Sequence, residues 1–252
     1  MTIHSSSPKS ALIVGAERRK RAAQPRDARA ADLLAWYDRH RRALPWRAAS
    51  GERPDPYRVW LSEVMLQQTQ VSRVREYYGR FVERFPDLER LAQAPARAVR
   101  EAWDGLGYYA RARNLHAAAK HVVRRYDATL PADPEELIKL PGVGRYTAGA
   151  VASFAYEKPV PAVDTNVRRV IRRVFLGDGG RGRGDAYLWR LAAALVPKNG
   201  KRAWRFNQAI MELGALICTA RKPKCRECPV RTVCRTGKRL DAQTRSGKQV
   251  RV

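Results

Sequence analysis

Cys218, Cys225, Cys228 and Cys234 are the only cysteines of the 252-residue chain, and they stand within seventeen residues in the spacing C-x6-C-x2-C-x5-C. Any fold of this chain must draw that segment into a tight loop around one centre. Three chemistries compete for it. Disulfides are disfavoured, because the sequence carries no secretory feature and is long enough to bury a core without staples. Structural zinc ordinarily uses two short C-x2-C hooks, and only one is present. The spacing favours four thiolates around a [4Fe–4S] cluster, with Pro229 directly after Cys228 as in ferredoxin-like runs. Lys222, Lys224, Arg226 and Arg231 are interleaved with the ligands and offset the thiolate charge. A purely structural cluster would satisfy the spacing as well as a redox one.

The rest of the chain is helical by its periods. Leu33, Leu34, Trp36 and Tyr37 recur at helical spacing before a break at Leu44–Pro45–Trp46. After the stop at Pro54–Asp55–Pro56, one apolar stripe runs from Tyr57 to Tyr78 through Trp60, Leu61, Val64, Met65, Gln68, Val71 and Val74. Pro86, Pro95, Pro131 and Pro134 divide further short helical segments, and alternating strands are scarce. We expect an all-α chain, divided into two helical lobes. The five glycines of Gly177–Asp185 predict a flexible surface loop.

Charge narrows the partner. Lys plus Arg number 50 against 24 Asp plus Glu, a formal net charge of +26. Residues 1–30 and 235–252 each contribute +5, which leaves +16 between them. We expect basic flexible tails at residues 1–30 and 236–252 around a folded body at residues 31–235. An excess of this size argues against a cationic small substrate and for a polyanion, nucleic acid ahead of an anionic membrane surface. No run reaches the roughly 20 apolar residues of a membrane span, and the N-terminus lacks a signal-peptide core. The expected setting is cytoplasmic, beside the nucleoid.

Leu140-Pro141-Gly142-Val143-Gly144 lies between two helix-forming stretches, Glu135–Lys139 and Arg145–Phe154. Two glycines let the chain reverse and present backbone N–H groups at the start of the second helix, an anion site without side-chain charge. An ordinary turn between helices is the plainer reading; the basic charge favours a hairpin that grips a DNA backbone without reading sequence. Two carboxylates keep suspicious company. Glu63 has apolar neighbours on both sides in Trp60–Thr69, where burial would raise its pKa, although exposed helix acids are commoner. Asp164 precedes the basic helix Arg168–Arg173, where a helix N-cap is the simplest role. One protonated acid and one ionised carboxylate are what cleavage of an N-glycosidic bond needs.

The segments Leu44–Arg47, Trp60–Val71, Gly105–Arg111, Leu140–Thr147, Val163–Val167, Phe206–Gln208 and Met211–Ala215, with the four-cysteine signature, resemble MutY-type adenine DNA glycosylases of the endonuclease III, helix-hairpin-helix superfamily. The resemblance covers residues 31–235. It implies a six-helix barrel lobe, a second lobe carrying the [4Fe–4S] loop at 218–234, and an active site in the cleft between them. Carried over by position, Glu63 resembles the general acid that protonates a flipped adenine, and Asp164 the carboxylate that stabilises the cationic sugar. Asn166 and Tyr146 would support them. Arg47 and Glu212 match positions that contact the extruded base. Gln68 and Tyr108 match residues that wedge into the duplex, Thr69 lies near the opposite base, and Leu106 belongs with this substrate-facing group. Gly142, Val143, Gly144 and Arg145 would hold the DNA backbone.

The implied activity is removal of adenine mispaired with 8-oxoguanine or guanine, by a monomer acting on double-stranded DNA with a mispair or oxidised base. A thymine–G mismatch glycosylase and a non-catalytic damage-binding protein are the rival readings. The superfamily's bifunctional lyases place a Schiff-base Lys where this chain has Tyr146, and a phenol forms no imine, so little strand cleavage is expected. The resemblance extends over the catalytic part alone, without the family's usual C-terminal Nudix-like domain.

Overall fold

In the computed structural model, which describes residues 25–47, 54–177 and 182–245, every regular element is helical. Several helices start where short polar side chains stand. Asp55 accepts from the Tyr57 N–H at 2.8 Å and opens α2 (Pro56–Leu66), whose first residue is a proline. Asp87 caps α4 (Leu88–Gln93), Asp133 caps α7 (Pro134–Leu137) and Asn199 caps α11 (Gly200–Leu216) in the same way. Each oxygen satisfies an amide that no helical carbonyl can reach.

The apolar faces of these helices close on two cores. The first lies among α2, α3 (Val71–Arg84), α4, α5 (Ala96–Ala102), α6 (Ala110–Arg125), α7 and α8 (Arg145–Tyr156), around Trp60, Met65, Phe81, Trp103 and Leu115. The second lies among α1 (Pro25–His40), α9 (Thr165–Ile171), α10 (Asp185–Leu195) and α11, around Tyr37, Ile171, Leu188 and Leu213. Trp204 and Met211 of α11 also pack against the first core, so the two lobes are joined along α8 and α11. This is the two-lobed, all-α arrangement expected above.

The structure departs from the sequence reading in three places. The stripe from Tyr57 to Tyr78 is two helices, because the chain turns at Gln67–Gln70 with Gln68 at φ 56°. Both helices face the first core, so the apolar period carries across the turn and hides it. The basic ends are in part ordered: α1 begins at Pro25, and α12 (Arg235–Arg245) follows the last cysteine. α12 packs on a π-helical turn at Arg172–Leu176, and its Asp241 pairs with Arg231. The helix before the hairpin is shorter than expected, ending at Leu137. The remaining expected tail residues, 1–24 and 246–252, and residues 178–181 of the glycine-rich loop lie outside the described residues. No described helix is long and apolar enough to cross a membrane.

Candidate active site

Between the lobes lies a cleft of about 810 Å³, lined by Glu63 of α2, Tyr146 of α8, Asp164 and Asn166 at the start of α9, and Glu212 of α11. Glu63 sits in the last turn of α2 and is only 6% exposed. Its Oε2 accepts from the Tyr146 hydroxyl at 2.6 Å. Burial pushes the Glu63 carboxyl up to about 7; the Tyr146 bond pulls it down, the Asp164 charge pushes it up, and Arg47 pulls it down. Its surroundings therefore favour the protonated acid far more than water does.

Asp164 is the N-cap of α9, as its position suggested. Its Oδ1 accepts from the Val167 N–H at 2.6 Å and its Oδ2 from Asn166 Nδ2 at 2.8 Å. Burial raises its carboxyl above the ordinary range, while these two bonds and the Arg169 charge oppose the rise. The cleft thus brings together a carboxyl made easy to protonate and one supplied with donors for its anion. The caps on Asp164 are themselves braced. Arg169 Nη2 donates to Asn166 Oδ1 and to the Gly214 carbonyl, both at 2.7 Å, and its Nε to the Cys218 carbonyl at 2.7 Å. Gly214 is required at this crossing, because a Cβ there would stand 2.6 Å from Asn166 Cβ.

Glu212 is 1% exposed and held by two arginines. Arg42 Nε donates to its Oε1 at 2.7 Å and Arg47 Nη2 to its Oε2 at 2.8 Å. Burial alone would raise this carboxyl, but the two guanidinium groups outweigh it and hold Glu212 below the usual carboxylate range. Arg42 and Arg169 escaped the sequence reading. Both stand in arginine-rich stretches, so composition there gives no sign of which guanidinium turns inward.

Gln68 and Thr69 line the mouth of the cleft. Tyr108 stands apart on the surface, 61% exposed and at φ 49°. Leu106 does not line the cleft: it is buried in the first core. In the hairpin, Gly142 takes φ 75° and a Cβ there would lie 2.7 Å from Asn114 Cβ, so only glycine fits. Gly144 is the N-cap residue of α8. Val143 faces inward to the first core and its N–H is bonded to the Leu140 carbonyl at 3.1 Å, which gives it a packing role in place of an outward contact. Arg145 lies over the Trp189 ring at 4.1 Å, crossing to the second lobe.

The four cysteines are free thiols lining one pocket with Val174, Leu213, Ile217 and Val230. The Gly237 N–H reaches Cys234 Sγ at 3.3 Å and Arg173 Nη1 lies 3.6 Å from Cys218 Sγ. Among the described residues no three His, Cys, Asp or Glu side chains close on a single ion. Four thiols around one apolar pocket, with an N–H and a guanidinium to stabilise thiolate charge, fit a cluster larger than one ion.

Residues 61–193 match the model of the HhH-GPD superfamily base excision DNA repair proteins, more than half of the chain, and the chain belongs to that superfamily. It is 45% identical over 216 residues to the adenine DNA glycosylase of Mus musculus, an alignment covering 83% of this chain and 42% of the mouse protein. The chain therefore spans about two-fifths of that relative's length. Among solved structures, a thermostable thymine-DNA glycosylase superposes with a TM-score of 0.76 at 31% identity, covering 85% of this chain and 97% of that one. A non-covalent endonuclease III–DNA complex gives 0.68 at 25% identity, covering 84% and 95%.

Proposed function

We propose that the chain is a DNA glycosylase that releases adenine mispaired with 8-oxoguanine or guanine from double-stranded DNA, acting as a monomer. The observation that carries this reading is the shared cleft of Glu63, with its carboxyl near neutrality, and Asp164, which accepts from the Val167 N–H and Asn166 Nδ2. The likeness to the mouse adenine DNA glycosylase supports adenine as the base.

In this mechanism the flipped base enters the cleft and Glu63 gives its proton to a ring nitrogen. The C1′–N9 bond then breaks, its electron pair leaving with the base. Asp164 faces the cationic sugar, and Glu63, now a carboxylate, takes a proton from the attacking water. Arg47, held against Glu212 at the cleft wall, offers guanidinium donors to the ring nitrogens of the base. Gln68 and Tyr108 fill the space the base leaves, and the amides that open α8 meet phosphate. Tyr146 cannot form an imine, so strand cleavage is weak. Cys218, Cys225, Cys228 and Cys234 would hold a [4Fe–4S] cluster, which would tie the C-terminal loop and α12 to the second lobe.

Single-turnover release of base from duplexes carrying A opposite 8-oxoguanine, G, C and T, beside a T·G duplex, tests the reading. Adenine release opposite 8-oxoguanine or G supports it. Faster thymine release would replace it with the activity named for the superposed thymine-DNA glycosylase. Tight mismatch binding with no release of either base would leave a damage-binding protein.

A further inference from the structure

Arg111, on α6, is a charged side chain only 8% exposed. It takes part in none of the ion pairs among the described residues; its charge meets carbonyl oxygens and ring faces instead. Nη1 approaches the carbonyls of Val64, Met65 and Gln67 at 3.1, 2.7 and 2.6 Å. Nη2 donates to the carbonyls of Leu106 and Gly107, both at 3.1 Å. The guanidinium carbon lies 5.4 Å from the ring centres of both Trp103 and Tyr108. Burying a guanidinium without a carboxylate is costly, and a neutral side chain could fill the same space. What this one does is bind the ends of two separate turns.

Each of those turns carries one of the five non-glycine residues that stand at positive φ among the described residues. Gln68, directly after Gln67, has φ 56°, and Tyr108, directly after Gly107, has φ 49°. Side chains with a Cβ rarely hold such angles, and they persist only where the surroundings over-determine them. Arg111 supplies that constraint on both sides at once.

We infer that Arg111 is a positioning residue that locks Gln68 and Tyr108 into one rigid two-pronged probe, so that base extrusion depends on their fixed separation and not on either side chain alone. This rests on the glycosylase reading above, in which both residues enter the duplex.

The test uses the full chain with Glu63→Gln to block chemistry and a duplex carrying 2-aminopurine in place of the target adenine. Binding by the Glu63→Gln protein should raise the fluorescence as the base unstacks. Adding Arg111→Lys should cut that rise at least about fivefold while changing the Kd by no more than about threefold, because phosphate contacts remain. In the Glu63 background, Arg111→Lys should slow adenine release about tenfold or more, with the alkaline limb of the pH profile unmoved. A full fluorescence rise in Arg111→Lys overturns the inference and leaves the glycosylase reading standing. No rise and no adenine release with Arg111 intact overturns both. Should Arg111 variants fail to fold, Gln68→Ala, Tyr108→Ala and their double decide. A rigid unit predicts a double no slower than the worse single, and multiplying losses overturn the inference.

Discussion

The Tyr146 hydroxyl donates to Glu63 Oε2 at 2.6 Å, and this bond opposes the burial around the same carboxyl. Burial favours the protonated acid; a phenol donor favours the carboxylate. The rate of base release should fall above a pH of about 7 as Glu63 loses its proton. It should fall again at low pH as Asp164, whose carboxyl burial also raises, gains one. Tyr146→Phe removes the donor that favours ionised Glu63, so the alkaline limb should move to higher pH while the acid limb stays. Single-turnover rates across pH 4–9 check both limbs, and an alkaline limb that does not move in Tyr146→Phe would remove the phenol from the account.

The same carboxyl must leave a mark on stability. A folded-state pKa of about 7, against an unfolded value near 4.3, means the folded chain holds a proton the unfolded chain has lost. Stability then falls as pH rises through that interval, and the whole loss is present above the folded value. The shift corresponds to about 4 kcal/mol at 1.36 kcal/mol per pKa unit, an order-of-magnitude figure. Glu63→Gln cannot ionise, so its gain over the parent should be near zero at pH 4 and grow toward that size by pH 8. Urea unfolding at the two pH values measures it; equal gains at both would contradict the burial argument.

Much of this site was legible from residue types and order. Asp164 before a basic helix already indicated an N-cap, and Pro141-Gly142 already indicated a reversal, because caps and turns are local chemistry. Glu63 looked ambiguous because an acid on an apolar stretch is buried or exposed according to segments far away in sequence, here α8 with Tyr146 and the start of α9 with Asp164. The inward arginines Arg42, Arg111 and Arg169 were beyond reach for the same reason. Each answers carbonyls or a carboxylate contributed by remote segments, and nothing in its own arginine-rich stretch marks it out. The turn at Gln67–Gln70 was hidden because both flanking helices bury the same face.

Gly214 holds the crossing of α11 over the start of α9. A methyl group there would lie 2.6 Å from Asn166 Cβ and 3.2 Å from Asn166 backbone, so α9 must move away. Gly214→Ala should cost about 1–3 kcal/mol in stability through overpacking. It should slow base release more than it weakens DNA binding, because the displaced segment carries Asp164 and the hairpin is untouched. Unfolding curves with rates and Kd on one preparation check this; a variant with parental rates would show that α9 tolerates the shift.

The cluster assignment is open to direct measurement. Anaerobically prepared protein should be brown and contain iron and sulfide, and Cys225→Ser should lose colour and iron together. Loss of the cluster should also loosen the C-terminal segment, since α12 reaches the second lobe through the cysteine loop and the Arg172–Leu176 turn. Proteolysis near Arg235 should therefore quicken in Cys225→Ser. A colourless zinc-loaded parent would overturn the iron–sulfur reading.

Arg169 separates the two carboxyls experimentally. Its guanidinium holds Asn166 Oδ1 at 2.7 Å, Asn166 in turn donates to Asp164 at 2.8 Å, and its charge favours the Asp164 anion. Arg169→Gln removes the charge and frees Asn166 to rotate, so Asp164 should hold its proton to higher pH. The acid limb of the rate profile should move upward, the reverse side from the one Tyr146→Phe moves, with the alkaline limb unchanged. The rate at neutral pH should drop about tenfold, the effect of some 1.4 kcal/mol on the barrier. Loss of bonds to the Gly214 and Cys218 carbonyls should also cost about 1–3 kcal/mol of stability. A general weakening of the fold would lower the rate without moving either limb, so the displaced acid limb is the reading that ties Arg169 to Asp164.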